Sequence, residues 1–257
     1  MRGSTFGPTN SSRSMLMLFR PVIFLIFLTI ATNVLCQTTE HRFSNWFTYF
    51  GHYRLNKHWG IHTDLQFRTD GRVHRTNQSL LRIGGQYLLS PTTNLTLGYA
   101  LIGNYSSAAY DYFTEHRLWQ QYLHTAHLSQ NTSMTHRLRL EERWAGYAGG
   151  RDGWRCGFRL RYFNRTIIHF SSNTSASVRP YLALQNELFL NSAAREINPN
   201  LFDQNRLLIA IGVLNHQHTR LEVGYMNQYL NPPGNTDIVH HVLHLSLLQV
   251  LDFYSTE

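Results

Sequence analysis

The sequence predicts an all-β protein, an antiparallel up-and-down transmembrane β-barrel of 10–12 strands. Three observations favour this fold: an N-terminal segment resembles an export signal, apolar and polar residues alternate with a period of two, and the alternating segments are long. Strands of soluble proteins average about 5–6 residues, whereas a tilted membrane-spanning strand needs at least about 9–11. Segment length therefore favours a membrane barrel over the alternative, a soluble exported β-sandwich whose apolar faces meet.

Residues 1–36 predict a secretory signal peptide. Arg2, Arg13 and Arg20 precede an apolar run over residues 21–35, which is shorter than the about 20 residues of a spanning helix. Cleavage after Cys36 would leave a single barrel domain over residues 37–257, and Met15 is an alternative start. We therefore expect export and a final location in the outer membrane of a bacterial cell.

The basic residues are almost entirely arginine. The formal net charge of +8 first suggests an acidic partner such as nucleic acid, but Lys57 is the only lysine among 23 basic residues. The guanidinium group is a planar, permanently charged fork that suits confined carboxylates and phosphates. Composition thus favours arginines enclosed within the protein and argues against nucleic acid as a partner.

Eleven segments with alternating polarity can be counted after residue 40. They cover residues 43–55, 59–69, 77–89, 94–105, 113–127, 134–147, 153–170, 178–191, 203–215, 218–230 and 238–253. Single-chain bacterial barrels have an even number of strands. We therefore expect ten or twelve strands, with one segment outside the wall or one strand uncounted.

The segment THRLRLEERW, residues 135–144, shows what the alternation implies. On a helix Arg137 and Glu141 would pair at i,i+4, whereas on a strand every second residue faces the same way. Leu138, Leu140 and Trp144 would then contact outer-membrane lipid, and the charged residues would face the lumen. Glu142 would be the exception on the lipid side, tolerable near an interface and costly at mid-bilayer.

The same phase assignment on other segments predicts a charged network lining the lumen. Its members are Arg137, Arg139, Glu141, Arg143, Arg155, Arg159, Arg161, Arg165, Glu115, Arg117, Glu187 and Arg206. Two interpretations are open. The network could crosslink and plug a narrow barrel, or it could form a narrow channel that attracts small, anionic solutes.

Aromatic residues near segment ends suit the girdles of a membrane barrel. The candidates are Trp46, Trp59, Tyr87, Tyr105, Trp144, Trp154 and Tyr229. The last segment ends on Phe253, which resembles the terminal signal of outer-membrane barrels. It predicts the barrel-assembly machinery as a partner during insertion.

No motif points to catalysis. The sequence contains no GxSxG, no HExxH and no Cys/His cluster. We therefore expect no enzymatic activity, no catalytic residues, no metal site and no cofactor. The alternative hypothesis, an outer-membrane enzyme that modifies lipid or lipopolysaccharide, would require a clustered Ser/His or carboxylate site at one rim.

Several stretches together resemble one family. They are NWFTYFGHYRLNKHWGIHTDLQFR, EHRLWQQ, RLRLEERW, FRLRYFNR, LQNELFLN, FDQNRLLIAIGV and RLEVGYMNQY. In order and spacing they are similar to the bacterial outer-membrane β-barrel family known only as domain of unknown function 2490. The resemblance covers nearly all of residues 43–253 and implies an outer-membrane barrel, but it supplies no reaction, substrate or catalytic residue. The N-terminal extension before Met15 and the tail after Phe253 depart from it.

Overall fold

The computed structural model describes residues 38–171, 177–215 and 218–253, most of which lie in eleven β-strands. The strands are β1 (Thr38–Arg54), β2 (Trp59–Asp70), β3 (Thr76–Ser90), β4 (Thr93–Ser106), β5 (Asp111–His127), β6 (Thr132–Gly146), β7 (Trp154–His169), β8 (Val178–Asn191), β9 (Phe202–Asn215), β10 (Thr219–Leu230) and β11 (Thr236–Asp252). The predicted signal peptide and residues 254–257 lie outside the described residues.

None of the described residues form a helix that is long and apolar enough to cross a membrane.

The strands form one closed barrel in which each strand pairs with its neighbour in the sequence. These sequence-adjacent pairs are antiparallel, and β1 and β11 complete the ring. The barrel confirms the predicted all-β, up-and-down barrel architecture and a strand number within 10–12. The β-sandwich alternative was wrong, because a single sheet closes on itself.

The expectation of an even number of strands was wrong, and the closing pair explains why. His41 stacks on His241, Tyr49 donates to Gln249, and the Phe253 amide donates to the Arg54 carbonyl at 2.9 Å. Partners on β1 and β11 thus advance together along the chain, so these two strands run in the same direction. A parallel pair also satisfies backbone hydrogen bonds, so an odd number of strands can close without a free edge.

The outer face of the barrel is largely apolar, whereas polar and charged side chains are concentrated on the inner face. On β4, Leu97 is 64% exposed and faces outward, while the neighbouring Thr96 is only 4% exposed and faces the lumen. On β9, Ile209 is 51% exposed on the outer face, whereas Arg206, three residues earlier on the inner face, is 9% exposed. This is the reverse of a soluble protein, in which apolar side chains fill the interior.

The two mouths of the barrel differ. We call one mouth the long-loop end, because the connections there include residues 147–153 and 192–201. We call the opposite mouth the short-turn end, where residues 55–58 and 91–92 connect strands. Since β1 and β11 are parallel, β1 begins at the long-loop end and β11 ends at the short-turn end.

Candidate functional site

The structure places all twelve residues of the predicted charged network on the inner face of the barrel. Glu141, Arg139, Arg159 and Glu187 are at most 3% exposed, and Arg137 and Arg165 are partly buried. Alternation puts them there, since β6 and β7 each direct every second residue inward. Eleven of the twelve form ion pairs, and Arg155 instead donates from Nη2 to the Gly146 carbonyl at 3.2 Å.

Glu141 lies at the centre of the network and has no exposed surface. Its Oε1 accepts from Arg161 Nη1 at 2.5 Å, and its Oε2 accepts from Arg159 Nη2 at 2.6 Å. Arg117 and Arg139 lie further out, at 3.7 and 3.9 Å. The carboxylate therefore connects β6 to β7 and faces four guanidinium groups in a region with little water.

Two further carboxylates extend this network around the wall. Glu187 on β8 accepts from Arg137 Nη2 at 2.5 Å and from Arg161 Nη2 at 2.6 Å. Glu115 on β5 accepts from the Nε atoms of Arg117 and Arg143 at 2.8 and 2.6 Å. The ion pairs thus cross several strand boundaries from β5 to β8, so they hold neighbouring strands in register.

Large side chains fill the middle of the lumen. We call the group of Trp119, Arg139, Glu141, Tyr181, Leu208 and Met226 the central plug; each member is at most 2% exposed. Trp119 fits because Gly84 and Gly98 face it, and a Cβ on Gly98 would lie 2.5 Å from its ring. Tyr181 fits in the same way against Gly212, where a Cβ would lie 2.5 Å from the phenol ring.

Open space remains on both sides of the central plug. A cavity of about 690 Å³, which we call the vestibule, opens at the long-loop end, and a cavity of about 510 Å³ lies at the short-turn end. No residue in the described part of the chain lines both cavities. In an eight-stranded barrel the inward side chains alone fill the interior. An eleven-stranded barrel is wider, so it has room for both the central plug and a cavity on each side of it.

The vestibule is strongly cationic. Among the described residues its lining includes two acids, Glu115 and Asp203, and ten arginines: Arg42, Arg68, Arg75, Arg82, Arg117, Arg143, Arg155, Arg159, Arg161 and Arg206. Amide side chains such as Gln78 and Gln228 lie between them. Such a lining attracts anions and offers many hydrogen-bond donors.

Trp46 was wrongly predicted to belong to an aromatic girdle. It is 6% exposed and faces the vestibule, with the guanidinium carbon of Arg68 3.6 Å from its ring centre. The alternation along β1 could have predicted the inward position of Trp46, because Ser44 and Thr48, two residues before and after it, also face inward. Trp59 and Trp154, by contrast, are 53% and 51% exposed on the outer face.

Sequence reasoning also missed a serine–histidine pair. Ser44 on β1 and His240 on β11 line the vestibule, and Ser44 Oγ lies 2.8 Å from His240 Nδ1. Nearly 200 residues separate them in the chain, so only the closure of the barrel brings them together. Within the described residues, no three His, Cys, Asp or Glu side chains are grouped as a metal site would require.

Comparison with known proteins gives one match. The family described as "Protein of unknown function (DUF2490)" matches residues 43–239, which covers the barrel from β1 into β11. No curated protein and no solved structure matches the chain.

Proposed function

Because the chain belongs to the DUF2490 family, whose function is unknown, we propose its function from its geometry: it is an integral β-barrel of the bacterial outer membrane. In this proposal the signal peptide predicted over residues 1–36 directs export, and residues 37–257 are the exported chain that contains the barrel. Outer-membrane lipid surrounds the wall, and the barrel-assembly machinery inserts it.

The observation that carries this proposal is the inverted polarity of the wall. Outward apolar side chains recur on neighbouring strands: Leu81, Ile83, Leu97, Leu101, Leu118, Leu138, Leu160, Leu207, Ile209, Ile211, Val223 and Leu243 are each more than 40% exposed. Soluble monomers rarely expose a contiguous apolar patch larger than a few hundred Å². A surface of this kind is stable only when lipid or another apolar layer covers it.

Strand dimensions support the same proposal. β4, β8 and β9 each have 14 residues. At about 3.3 Å per residue and a tilt of about 40°, such a strand rises about 35 Å along the barrel axis. The apolar band of an outer-membrane barrel is about 25 Å tall, so the strands can cross it and still extend into both interfaces.

Within this proposal the barrel is a closed, structural one rather than an open channel. The central plug separates the vestibule from the cavity at the short-turn end, and its members pack with almost no exposed surface. Buried ion pairs such as Arg161–Glu141 would have to break for a solute to pass. We assign no catalytic residue, metal or cofactor to this function.

Fractionation of cells that produce the chain tests the proposal. We expect the protein in the outer-membrane fraction, soluble only in detergent, with a gel mobility that changes on heating as the closed barrel unfolds. Recovery in the soluble periplasmic fraction, with one mobility before and after heating, would overturn it.

A second candidate function is supported by one contact. The Ser44–His240 hydrogen bond at the long-loop end places a hydroxyl beside a base in an arginine-lined cavity, as an outer-membrane enzyme that acts on lipid or lipopolysaccharide would require. In the described residues the pair lacks a carboxylate bonded to His240, so the usual third member of such a site is missing.

The Ser44→Ala variant tests this second function. If the protein modifies lipid, cells with wild-type protein should differ in lipid or lipopolysaccharide composition from cells with Ser44→Ala. Ser246→Ala is the matched control, because Ser246 is another inward serine and donates to Glu222 instead of contacting a histidine. Identical lipid profiles in all three strains would exclude the enzyme.

A further inference from the structure

One cation in the vestibule lacks an acidic partner. Arg68 donates from Nη1 to Gln78 and from Nη2 to Gln66, each at 2.5 Å, and its Nε has no hydrogen-bond partner among the residues that the structure describes. No ion pair joins Arg68 to any carboxylate of the described residues. Arg68 is partly buried, and two amide oxygens and the face of Trp46 replace its lost hydration without supplying a negative charge.

A second cation lies against the same ring. Arg206 is 9% exposed, and its guanidinium carbon is 4.9 Å from the centre of Trp46, against 3.6 Å for Arg68. The carboxylate nearest to Arg206 is Glu187, at 3.9 Å, which already accepts shorter hydrogen bonds from Arg137 and Arg161. Two positive charges therefore share one indole with little compensation from the protein.

A third guanidinium lies higher in the vestibule. Arg155 donates only to the Gly146 carbonyl, and its Nε has no partner. The amide side chains of Gln78 and Gln228 line the same cavity. The vestibule, which opens at the long-loop end, thus has an excess of positive charge and neutral polar groups on its lining, and Arg68 and Arg155 each keep a buried Nε without a hydrogen-bond partner among the described residues.

We propose that the vestibule binds a phosphate monoester group, with Arg68 and Arg206 as its principal ligands and Arg155 nearer the entrance. A phosphate monoester carries up to two negative charges and three peripheral oxygens, so it matches two incompletely compensated guanidinium groups better than a carboxylate does. The neutral amide side chains would form hydrogen bonds with hydroxyl groups on the rest of the ligand. Both a free phosphate ester and the headgroup of a phosphorylated lipid have this chemistry.

Calorimetric titration of the folded full-length barrel in neutral detergent tests the site. The probes are inorganic phosphate, glycerol 3-phosphate and uncharged glycerol. We expect saturable binding of the two phosphates and no binding of glycerol. Arg68→Gln should weaken phosphate binding about tenfold or more, as expected for the loss of a charge-assisted hydrogen bond.

Arg220→Gln is the matched control. Arg220 is also an inward arginine of the lumen, but it lies near the short-turn end and does not line the vestibule. Its substitution should change the affinity by less than about twofold. A heat-dependent change of gel mobility shows that each variant is folded, so the result does not depend on membrane location or on the closed-barrel function proposed above.

Mixed micelles distinguish the two sources of phosphate. Binding of phosphatidic acid in micelles, with no binding of glycerol 3-phosphate, would identify a lipid headgroup as the ligand; binding of both probes would identify a solute site. Two results would overturn the proposal: no phosphate probe binds to the folded wild-type protein, or Arg68→Gln and Arg220→Gln bind phosphate equally well.

Discussion

Adjacent residues in this barrel have opposite environments, and Glu141 and Glu142 show it most clearly. Glu141 has no exposed surface and accepts two hydrogen bonds from arginines at 2.5 and 2.6 Å. Glu142 faces outward four residues from the end of β6, and its nearest hydrogen-bond donor is Gln120 at 3.4 Å. In the proposed membrane barrel this outward carboxylate would therefore lie close to an interface, where it is tolerated.

The two glutamates provide a matched stability test. Glu141→Gln removes a buried charge shared by Arg159 and Arg161, which keep only Asp203 and Glu187 as ion-pair partners among the described residues, so we expect the free energy of unfolding to fall by about 3–5 kcal/mol. Glu142→Gln should change it by less than about 1 kcal/mol. Urea unfolding of the barrel in detergent, followed by tryptophan fluorescence, measures both. Equal effects of the two substitutions would contradict the buried network.

Which residues face inward could be predicted from the sequence, but their partners could not. Period two assigns Arg137, Arg159 and Glu141 to the lumen from local spacing alone. It does not show that Arg137 pairs with Glu187, 50 residues away, instead of with Glu141 on its own strand. Pairing depends on the register between strands and on how the wall curves, and neither is encoded in a single segment.

Glycine residues on single strands make room for the large side chains that extend across the lumen. Gly84, Gly98 and Trp119 are neighbours across β3, β4 and β5 in the register of the sheet. A Cβ at Gly98 would contact the Trp119 ring and the backbone carbonyl of Ile83, which cannot move aside. Glycine within a strand often marks such a close approach.

Two glycine-to-alanine substitutions compare a crowded position with an open one. We expect Gly98→Ala to lower the free energy of unfolding by about 1–3 kcal/mol, because it overpacks the central plug. Gly85→Ala, on β3, has no atom within 4 Å of the added Cβ. It should leave the stability unchanged or raise it by up to about 1 kcal/mol. If Gly98→Ala is as stable as Gly85→Ala, Trp119 does not occupy the position described.

At the level of elements, all eleven predicted segments form strands, and most of their bounds agree with the structure within two residues. The largest difference is the start of β1, at Thr38 instead of residue 43. The parallel closure by β1 and β11 could not be predicted, since alternation within a segment carries no information on which strand it will pair with. The same limitation concealed the Ser44–His240 contact, which exists only across that closing pair.

The whole molecule combines a filled lumen with a cationic entrance, and this combination predicts its electrical behaviour. In planar bilayers we expect the proposed closed barrel to show no steady conductance, because the buried side chains of the central plug and their ion pairs would block the movement of ions. Stepwise conductance with a preference for anions would instead support the narrow-channel hypothesis. In that case the double variant Arg139→Glu and Arg159→Glu should show a weaker preference for anions. Stepwise conductance would also show that the plug moves.

The claim that lipid surrounds the wall is tested most directly by the depth dependence of a charge on its outer face. Ile209 and Leu221 are 51% and 54% exposed, but Ile209 lies at the middle of β9 and Leu221 near the start of β10. In a bilayer, Ile209→Arg should lower the free energy of unfolding by about 2–4 kcal/mol, and Leu221→Arg by at most about 1 kcal/mol. The free energy of unfolding of both variants is measured in lipid vesicles. Equal, small effects at the two positions would contradict a membrane-spanning barrel.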